Sequence, residues 1–490
     1  MREEKTSSIT KNFIYSIGYQ VLILIVPLIS TPYVSRILSA DGVGVYSYTS
    51  SIMAFFMLFA ALGTQSYATR EVSRNRKNKE HISRLFWEIE IMTFMTTFAC
   101  LIVWIFLAFM NKENKWYFLA LVPMLIGIPF DISWLFNGYE KVKYIVFRNS
   151  FCKIVSVALL FLFVKEKNDL LLYFWITSFS TLLGNLSMWT YLPGMLRKVS
   201  FKGLSIKEHF KETIVYFIPT VATSVYTLLD KTLIGLITKD SFENGFYEQA
   251  TKIIGVIKVF VFAALNSVVG VRTSYLFVQN KHDEIKEHIH RSLNIILLLG
   301  YGVLFGLVGV VQNFVPVFFG AGYEPVVGLL ILMAPMPVII GISNCLGSQY
   351  YTPVGKRQLS AKFIVTGAGI NLILNVLLIP FWGAIGATIA SVFAEILITV
   401  LYVRYCQRYI TLSDIWECSY KRIVCGIVML LSVYFLGQVL ELELILELLI
   451  QVVAGTVIYG IGLLALKDRV LFDFLNHVLK VVRNKTRKKE

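Results

Sequence analysis

The sequence is poor in charge for its length, since 16% of its 490 residues are charged and 56% are hydrophobic. Soluble globular chains carry about 25% charged residues, so this composition excludes an ordinary soluble multidomain protein. The hydrophobic residues form long uncharged blocks, of which IMTFMTTFACLIVWIFLAFM is one. A block of that length spans the roughly 30 Å hydrocarbon core as a helix. Its recurrence along the chain predicts an all-α polytopic membrane protein.

Motifs for metal binding, nucleotide binding and catalysis are also lacking. The six cysteines form no CxxC pair, and the six histidines fall in connections or tails. This spacing predicts no metal site. The sequence has no phosphate-cradling glycine loop and no nucleophile–base constellation. We therefore expect a protein that is not an enzyme and that holds no resident cofactor.

The net charge of +15 would suit a nucleic-acid partner, but the basic residues lie in short connections between apolar segments. That placement is typical of membrane topology and predicts no nucleic-acid partner. We predict about fourteen spans, at residues 12–38, 43–68, 85–109, 116–137, 144–164, 170–192, 212–238, 246–271, 292–318, 325–351, 361–380, 384–404, 421–440 and 445–466. Lys and Arg outside the spans favour one side by about seven to one. This bias predicts a multi-pass protein of the cell membrane with both termini in the cytoplasm.

An internal repeat organises these spans. KNFIYS begins at Lys11 and GVY at Gly44, while KETIVYF begins at Lys211 and GFY at Gly245. Six spans return the chain to its starting side, so the two copies share one orientation. Parallel copies are related by a pseudo-two-fold axis along the membrane normal, which is a transporter plan with a mid-membrane site between the copies.

The repeat predicts four parts in the chain. Two six-helix lobes come first, and two additional transmembrane helices and a basic cytoplasmic tail follow. The predicted parts are residues 1–205, 206–412, 413–466 and 467–490.

Charges inside predicted spans mark the candidate site. Asp230 and Lys231 are adjacent on one helix, so they point about 100° apart and each needs its own partner. A charge at the bilayer centre costs roughly 2.5–3.5 kcal/mol on insertion scales. We predict that Arg36, Lys231, Lys252 and Lys258 surround a water-filled cleft with Asp230 and receive an anionic, phosphate-bearing substrate. The alternative is that Arg36 and Lys231 extend to the membrane surface.

Acidic residues in the spans suggest coupling to an ion. Glu395 lies in the middle of its span, and a carboxylate in a low-dielectric site can carry a proton. We predict that Asp230 and Glu395 serve in ion coupling or charge balance, with a proton or sodium gradient as the energy source. Glu88 and Glu90 lie near the cytoplasmic entry, where we expect solvation. Lys153 lies close enough to the cytoplasmic end of its span to extend to the surface.

Several segments, in this order, resemble the bacterial polysaccharide repeat-unit flippases, which share a superfamily with multidrug exporters. They are TPYVSRILSADGVGVYSYTSSI, GTQSYATREVSRNR, WLFNGYEKVKYIVFRN, LLDKTLIGLI, NGFYEQATKI, FFGAGYEPVVGLL and INLILNVLLIPFWGAIGATIASVFAEI. The resemblance implies two lobes around a cavity that opens alternately to each side. The implied substrate is a polyprenyl-pyrophosphate-linked oligosaccharide, moved from the inner to the outer leaflet for cell-surface polysaccharide assembly. Ion coupling is also implied, as are a polysaccharide polymerase and other assembly proteins as partners. Arg36, Lys231 and Lys252 match the cationic cavity positions.

Other functions remain open at this point. A cation-coupled multidrug exporter of the same fold would line its cavity with acidic and aromatic residues rather than lysines. A membrane glycan polymerase would need catalytic carboxylates or histidines in an external loop, and the short external connections disfavour it. A structural scaffold is the remaining alternative.

Overall fold

The computed structural model describes residues 2–266, 275–277, 279, 281–440, 442–468 and 470–472. The regular elements of this part of the chain are helices. Nine helical segments in it are long and apolar enough to cross a membrane. These observations confirm the all-α polytopic membrane fold. The number of fourteen spans and the pseudo-two-fold symmetry stay predictions, and most of the predicted basic tail lies outside the described residues.

The chain divides into two compact units, Met1–Glu248 and Gln249–Glu490. Helices α1 to α9 belong to the first unit, and α10 crosses the boundary. Their bounds are Arg2–Ala61, Thr64–Asn75, Lys79–Met110, Lys115–Ala120, Val122–Ile126, Ser133–Gly138, Val142–Phe163, Leu170–Ser187, Ile206–Thr238 and Ser241–Asn266. The predicted lobes and appended helices are a different division of the chain and stay a prediction.

Breaks in the helical backbone make the observed helices of this unit differ from the predicted spans. The first predicted span and most of the second form one helix, α1, with a kink at Ser39 (φ 56°, ψ 175°), and the end of the second span lies in α2. The Ser39 hydroxyl donates to the Leu38 carbonyl at 2.6 Å within that kink. Residues 116–137, predicted as one span, form the three short helices α4, α5 and α6. Pro129 lies in the turn before α6, where its missing N–H prevents helix continuation.

Glu88 and Glu90 are buried, at 4% and 2% exposure, so the expectation of solvation is wrong. Helix α3 begins six residues before the predicted start of its span and packs against α9, which covers this face. The Glu88 carboxylate lies 2.9 Å from the His209 ring and 3.2 Å from the Arg84 guanidinium. For Glu88, partners from both helices therefore replace the water that the sequence interpretation assumed.

The second unit is also built of long helices. The helices α11 to α16 are His282–Phe319, Pro325–Met333, Met336–Leu346, Arg357–Arg404, Leu412–Val439 and Leu444–Ala465. Helix α14 contains two predicted spans, separated by the non-helical residue Gly383 (φ 52°). The last two helices pack on α11, where the Tyr459 hydroxyl donates to the Leu298 carbonyl at 3.0 Å.

Candidate functional site

The candidate site lies beside a backbone hinge in the first unit. Helix α9 ends at Thr238, the next residue Lys239 has a left-handed φ of 53°, and α10 begins at Ser241. The kink in α1 places Ser39, also left-handed, 200 residues earlier. This spacing equals one of the two offsets of the predicted repeat. Positive φ is uncommon outside glycine, and the two residues share it while differing in ψ, which is 175° at Ser39 and 20° at Lys239.

Two glycines let the segments that follow these hinges approach closely. A Cβ atom on Gly44 would overlap the backbone of Ser241, and a Cβ atom on Gly245 would overlap the backbone of Ala40. The Ser241 hydroxyl also donates to the Asp41 carboxylate. The contact is thus made backbone to backbone, with a polar side-chain contact beside it.

A partly buried ion pair lies further along the same helices. The Lys231 ammonium on α9 lies 2.6 Å from the Glu248 carboxylate on α10. The Ser47 hydroxyl on α1 donates to the same carboxylate oxygen at 2.9 Å. Glu248 is only 8% exposed, and the Lys231 side chain is 24% exposed. One carboxylate therefore joins three helical segments.

Asp230 has its own partner on α10. The Tyr247 hydroxyl donates to the Asp230 carboxylate at 2.5 Å, and Asp230 is 4% exposed. Two adjacent residues on α9 thus contact two adjacent residues on α10. Separate partners are expected, because adjacent side chains on a helix point about 100° apart. We call Ser47, Asp230, Lys231, Tyr247 and Glu248 the Lys231 cluster.

Sequence reasoning missed Glu248 and Tyr247. It predicted Asp230 for ion coupling or charge balance, which stays a prediction, and in this structure Glu248 is a carboxylate that pairs with Lys231. The signal for Glu248 was present, because it is an acidic residue inside the predicted span 246–271, which is the same anomaly that drew attention to Asp230. Asn244, one turn before Glu248, is fully buried, and neither of its side-chain amide atoms has a hydrogen-bond partner in the described structure. The surroundings of the cluster are therefore polar beyond the ion pair.

The other predicted cations lie on α1 and α10. Arg36 is exposed and precedes the kink of α1, and Lys252 is partly buried one turn after Glu248. Lys258 is partly buried on α10 within the second unit, and the buried Glu395 carboxylate acts on it electrostatically. The gathering of the four predicted cations around one cleft with Asp230 stays a prediction.

Glu395 lies one turn from a buried polar contact between the two halves of α14, which Gly383 separates. Asn371 donates to the Ser391 hydroxyl at 3.2 Å, and Asn375 donates to the Asn371 side-chain oxygen at 3.1 Å. Both asparagines are fully buried, and Ser391 lies one turn before Glu395. Sequence reasoning missed the asparagines, although their i,i+4 spacing in an apolar segment places them on one helix face.

Proteins of similar sequence are transporters and glycan flippases by name. A protein of Escherichia coli (strain K12) named as a candidate O-antigen transporter is 24% identical over 419 residues, covering 82% of this chain and 97% of that protein. A second relative, from Haloferax volcanii, is named a probable low-salt glycan biosynthesis flippase. It is 23% identical over 269 residues, covering 54% of this chain and 55% of that protein.

Solved structures show the same fold. The lipid II flippase MurJ in an inward closed conformation has a TM-score of 0.73 at 16% identity, covering 92% of this chain and 98% of that chain. At this identity the likeness establishes the fold alone, and it agrees with the expected all-α membrane fold. The sequence model of the polysaccharide biosynthesis protein family matches residues 9–269, which is more than half of the chain. The protein therefore belongs to the polysaccharide biosynthesis protein family.

Proposed function

We propose that the protein moves a polyprenyl-pyrophosphate-linked oligosaccharide from the inner to the outer leaflet of the cytoplasmic membrane by alternating access. Membership of the polysaccharide biosynthesis family carries this proposal. The O-antigen transporter relative and the MurJ-like fold support it. The translocated unit serves the assembly of a cell-surface polysaccharide.

The Lys231 cluster is the binding site of the substrate diphosphate in this proposal. The Glu248 carboxylate lies 2.6 Å from the Lys231 ammonium, so in this conformation the cation is paired with an anion of the protein itself. A diphosphate supplies anionic oxygens for the same charge-assisted contact. Exchanging one anion for the other keeps the lysine paired, and it avoids the large cost of an unpaired buried charge. Release of Glu248 also frees Ser47, which loosens the contact between α1 and α10.

Transport needs an energy source, and a proton or sodium gradient is the one that we propose. Asp230 and Glu395 are the carboxylates assigned to coupling or charge balance, and both are buried within long helices. Buried intramembrane carboxylates are expensive to keep and commonly lie on ion pathways. The proposal requires neither a resident cofactor nor catalytic activity by the protein.

The orientation of the protein in the membrane follows from the excess of Lys and Arg in the connections on one side. Both termini lie in the cytoplasm, because Lys and Arg concentrate on the side that carries them. A polysaccharide polymerase and other assembly proteins would receive the translocated unit on the outer face.

A deletion strain tests the function. Loss of the gene should stop surface polymer and let lipid-linked repeat units accumulate on the inner leaflet. The wild-type gene should restore the polymer, and so should Lys211→Ala, which removes an exposed lysine from the same helix α9. Lys231→Ala and Lys252→Ala should restore at most about a tenth of it at normal membrane abundance, since a lost charge-assisted contact is worth about 1.5–3 kcal/mol.

Normal surface polymer in a deletion strain that has no redundant flippase would contradict the proposal. A drug-efflux assay on the same strains separates the exporter alternative. Efflux that depends on the wild-type gene and is lost in Asp230→Asn would favour the multidrug exporter.

A further inference from the structure

Glu90 on α3 is a buried carboxylate to which the proposed function gives no role. It is 2% exposed, and within the described structure its oxygen Oε2 has no hydrogen-bond partner. Trp134 on α6 acts on the carboxyl group through a side-chain hydrogen bond, and the Asp131 carboxylate acts on it electrostatically. A buried carboxylate without a positive partner is costly, so the surroundings of Glu90 have to supply either a proton or a cation.

A small polar cavity adjoins this carboxylate. It has a volume of about 60 Å³, and it is bounded by residues of α2, α3 and the stretch 128–134 that leads into α6. A water molecule needs about 10–15 Å³ of such space, so the cavity has room for a small ion together with water. Its polar lining consists of Thr64, Gln65, Glu90, Thr93 and Asp131, with Trp134 beside them. Three segments of the chain therefore share one polar space.

The two threonines of the lining leave lone pairs, and no protons, for a ligand. The Thr64 hydroxyl donates to the Ala61 carbonyl at 2.7 Å, and the Thr93 hydroxyl donates to the Ile89 carbonyl at 2.8 Å. Each hydroxyl has a single proton, so both threonines retain acceptor capacity only. Oxygen atoms with free lone pairs are the ligands that hard cations prefer.

Gln65 fixes the wall between α2 and the stretch that leads into α6. Its amide nitrogen donates to the Asp131 carbonyl at 3.4 Å, and its side-chain oxygen accepts from the Ser133 hydroxyl at 3.2 Å. These contacts hold the cavity open on the side that faces Glu90, because they join the two segments by side-chain bonds rather than by close packing.

The charges around the cavity leave one negative charge without a partner. The Asp131 carboxylate lies 3.5 Å from the Arg148 guanidinium, which balances it. The residues that bound the cavity in the described structure include no lysine, arginine or histidine to balance Glu90. One uncompensated carboxylate matches one positive charge, so the cavity suits a monovalent cation better than a divalent one.

A proton on Glu90 is the alternative, and the geometry disfavours it. A protonated Oε2 needs an acceptor for its hydrogen, and the described structure places none within hydrogen-bond distance of that atom. A cation in the cavity would instead take ligands from the carboxylate and from the two threonines at once.

We propose that Glu90, Thr64 and Thr93 form a binding site for one sodium ion. The inference deepens the proposed function, because it gives the driving ion a site apart from Asp230 and Glu395. It rests on that function for the role of the ion in transport, but binding itself does not depend on it.

Binding of radioactive sodium to the purified full-length protein in lipid nanodiscs tests the site. The assay is run at about pH 8, where an ordinary carboxyl group is ionised, with N-methyl-D-glucamine chloride as the inert salt. Glu90→Gln should lower the number of sodium ions bound per protein by one. Glu80→Gln, which removes an exposed carboxylate from the same helix, should leave that number unchanged.

The threonines have a matched control on α3. Thr64→Val and Thr93→Val should each raise the dissociation constant for sodium about tenfold, because each removes one oxygen ligand and keeps the shape of the side chain. Thr97→Val should leave it unchanged, since Thr97 is an equally buried threonine one turn further along that does not line the cavity.

Thermal stability separates loss of the site from loss of the fold. Sodium should raise the melting temperature of the wild-type protein by about 3 °C and leave that of Glu90→Gln unchanged. In sodium-free buffer Glu90→Gln should melt no lower than the wild type, because it removes an unpaired buried charge.

Three outcomes would overturn the proposal. Absence of sodium binding in the wild type would assign Glu90 to a proton or to water, and an unchanged number of bound ions in Glu90→Gln would place sodium elsewhere. Displacement of sodium by an equal concentration of potassium chloride would refute the assignment to sodium. Wild-type rescue of the deletion strain is scored separately, so a failed ion site with intact rescue leaves the flippase function standing.

Discussion

At the scale of single residues, the adjacent charges Asp230 and Lys231 are both accounted for by contacts with α10. Each has a separate partner, Tyr247 for the aspartate and Glu248 for the lysine. A buried ion pair contributes little net stability compared with apolar residues of the same size, but breaking it by removing one partner is costly. The pair is therefore suited to a role in which a second anion replaces the first.

A double-mutant cycle measures this coupling. Lys231→Met and Glu248→Gln should each destabilise the protein by roughly 1–3 kcal/mol, less than a fully enclosed pair because the Lys231 side chain is 24% exposed. The double variant should recover most of that loss, since it leaves no unpaired charge. Melting temperatures of the four proteins in one detergent provide the comparison.

Lys211→Met combined with Glu248→Gln is the matched control, because Lys211 is an exposed lysine on the same helix. Its effect should add to that of Glu248→Gln. Additive effects in the Lys231 cycle as well would show that the two side chains are not energetically coupled.

At the scale of elements, the crossing of α1 and α10 depends on the absence of side chains at two glycines. A Cβ atom at Gly44 or Gly245 meets main-chain atoms, which have no flexible end to move aside. The helical segments at this point are therefore either in backbone contact or forced apart. Such an all-or-none contact suits a closure that opens as a unit.

Alanine substitution tests the close approach. Gly44→Ala and Gly245→Ala should each destabilise this conformation by about 1–3 kcal/mol, as overpacking of a close contact does. Gly255→Ala is the control on α10, because a Cβ atom there meets nothing within 4 Å. It should be neutral or slightly stabilising, since alanine is the better helix former. A melting temperature for Gly245→Ala equal to that of Gly255→Ala would refute the backbone contact.

At the scale of the whole molecule, α3 provides the test of orientation. It runs from Lys79 to Met110 over 32 residues, about 48 Å of helix, which is enough to cross a bilayer. Lys77 and Lys112 flank it and are both exposed. They must therefore lie on opposite sides of the membrane if the charge bias is interpreted correctly.

Single cysteines at these positions reveal the sides. In a background without the native cysteines, Lys112→Cys should react with a membrane-impermeant maleimide added to spheroplasts. Lys77→Cys should react in inverted vesicles only, because the cytoplasmic side is the one rich in Lys and Arg. The reverse pattern would overturn the assignment of both termini to the cytoplasm.

The sequence by itself determined the membrane class, the course of most apolar segments and the family. Hydrophobic block length sets these features, because every backbone polar group in lipid must be satisfied within a helix. Intramembrane charge also drew attention to Asp230 and Lys231, since each such residue is expensive to insert. These are local properties of consecutive residues and need no knowledge of distant contacts.

Tertiary structure alone decided which charges meet. The partners of Lys231 lie on α10 and α1, and the contacts with Glu248 and Ser47 depend on two hinges and on glycines that allow backbone contact. The burial of Glu88 depends on α9 packing against α3, and the cavity beside Glu90 depends on three segments enclosing one polar space. Desolvation and pairing are properties of surroundings assembled from distant parts of the chain, so spacing along the sequence does not specify them.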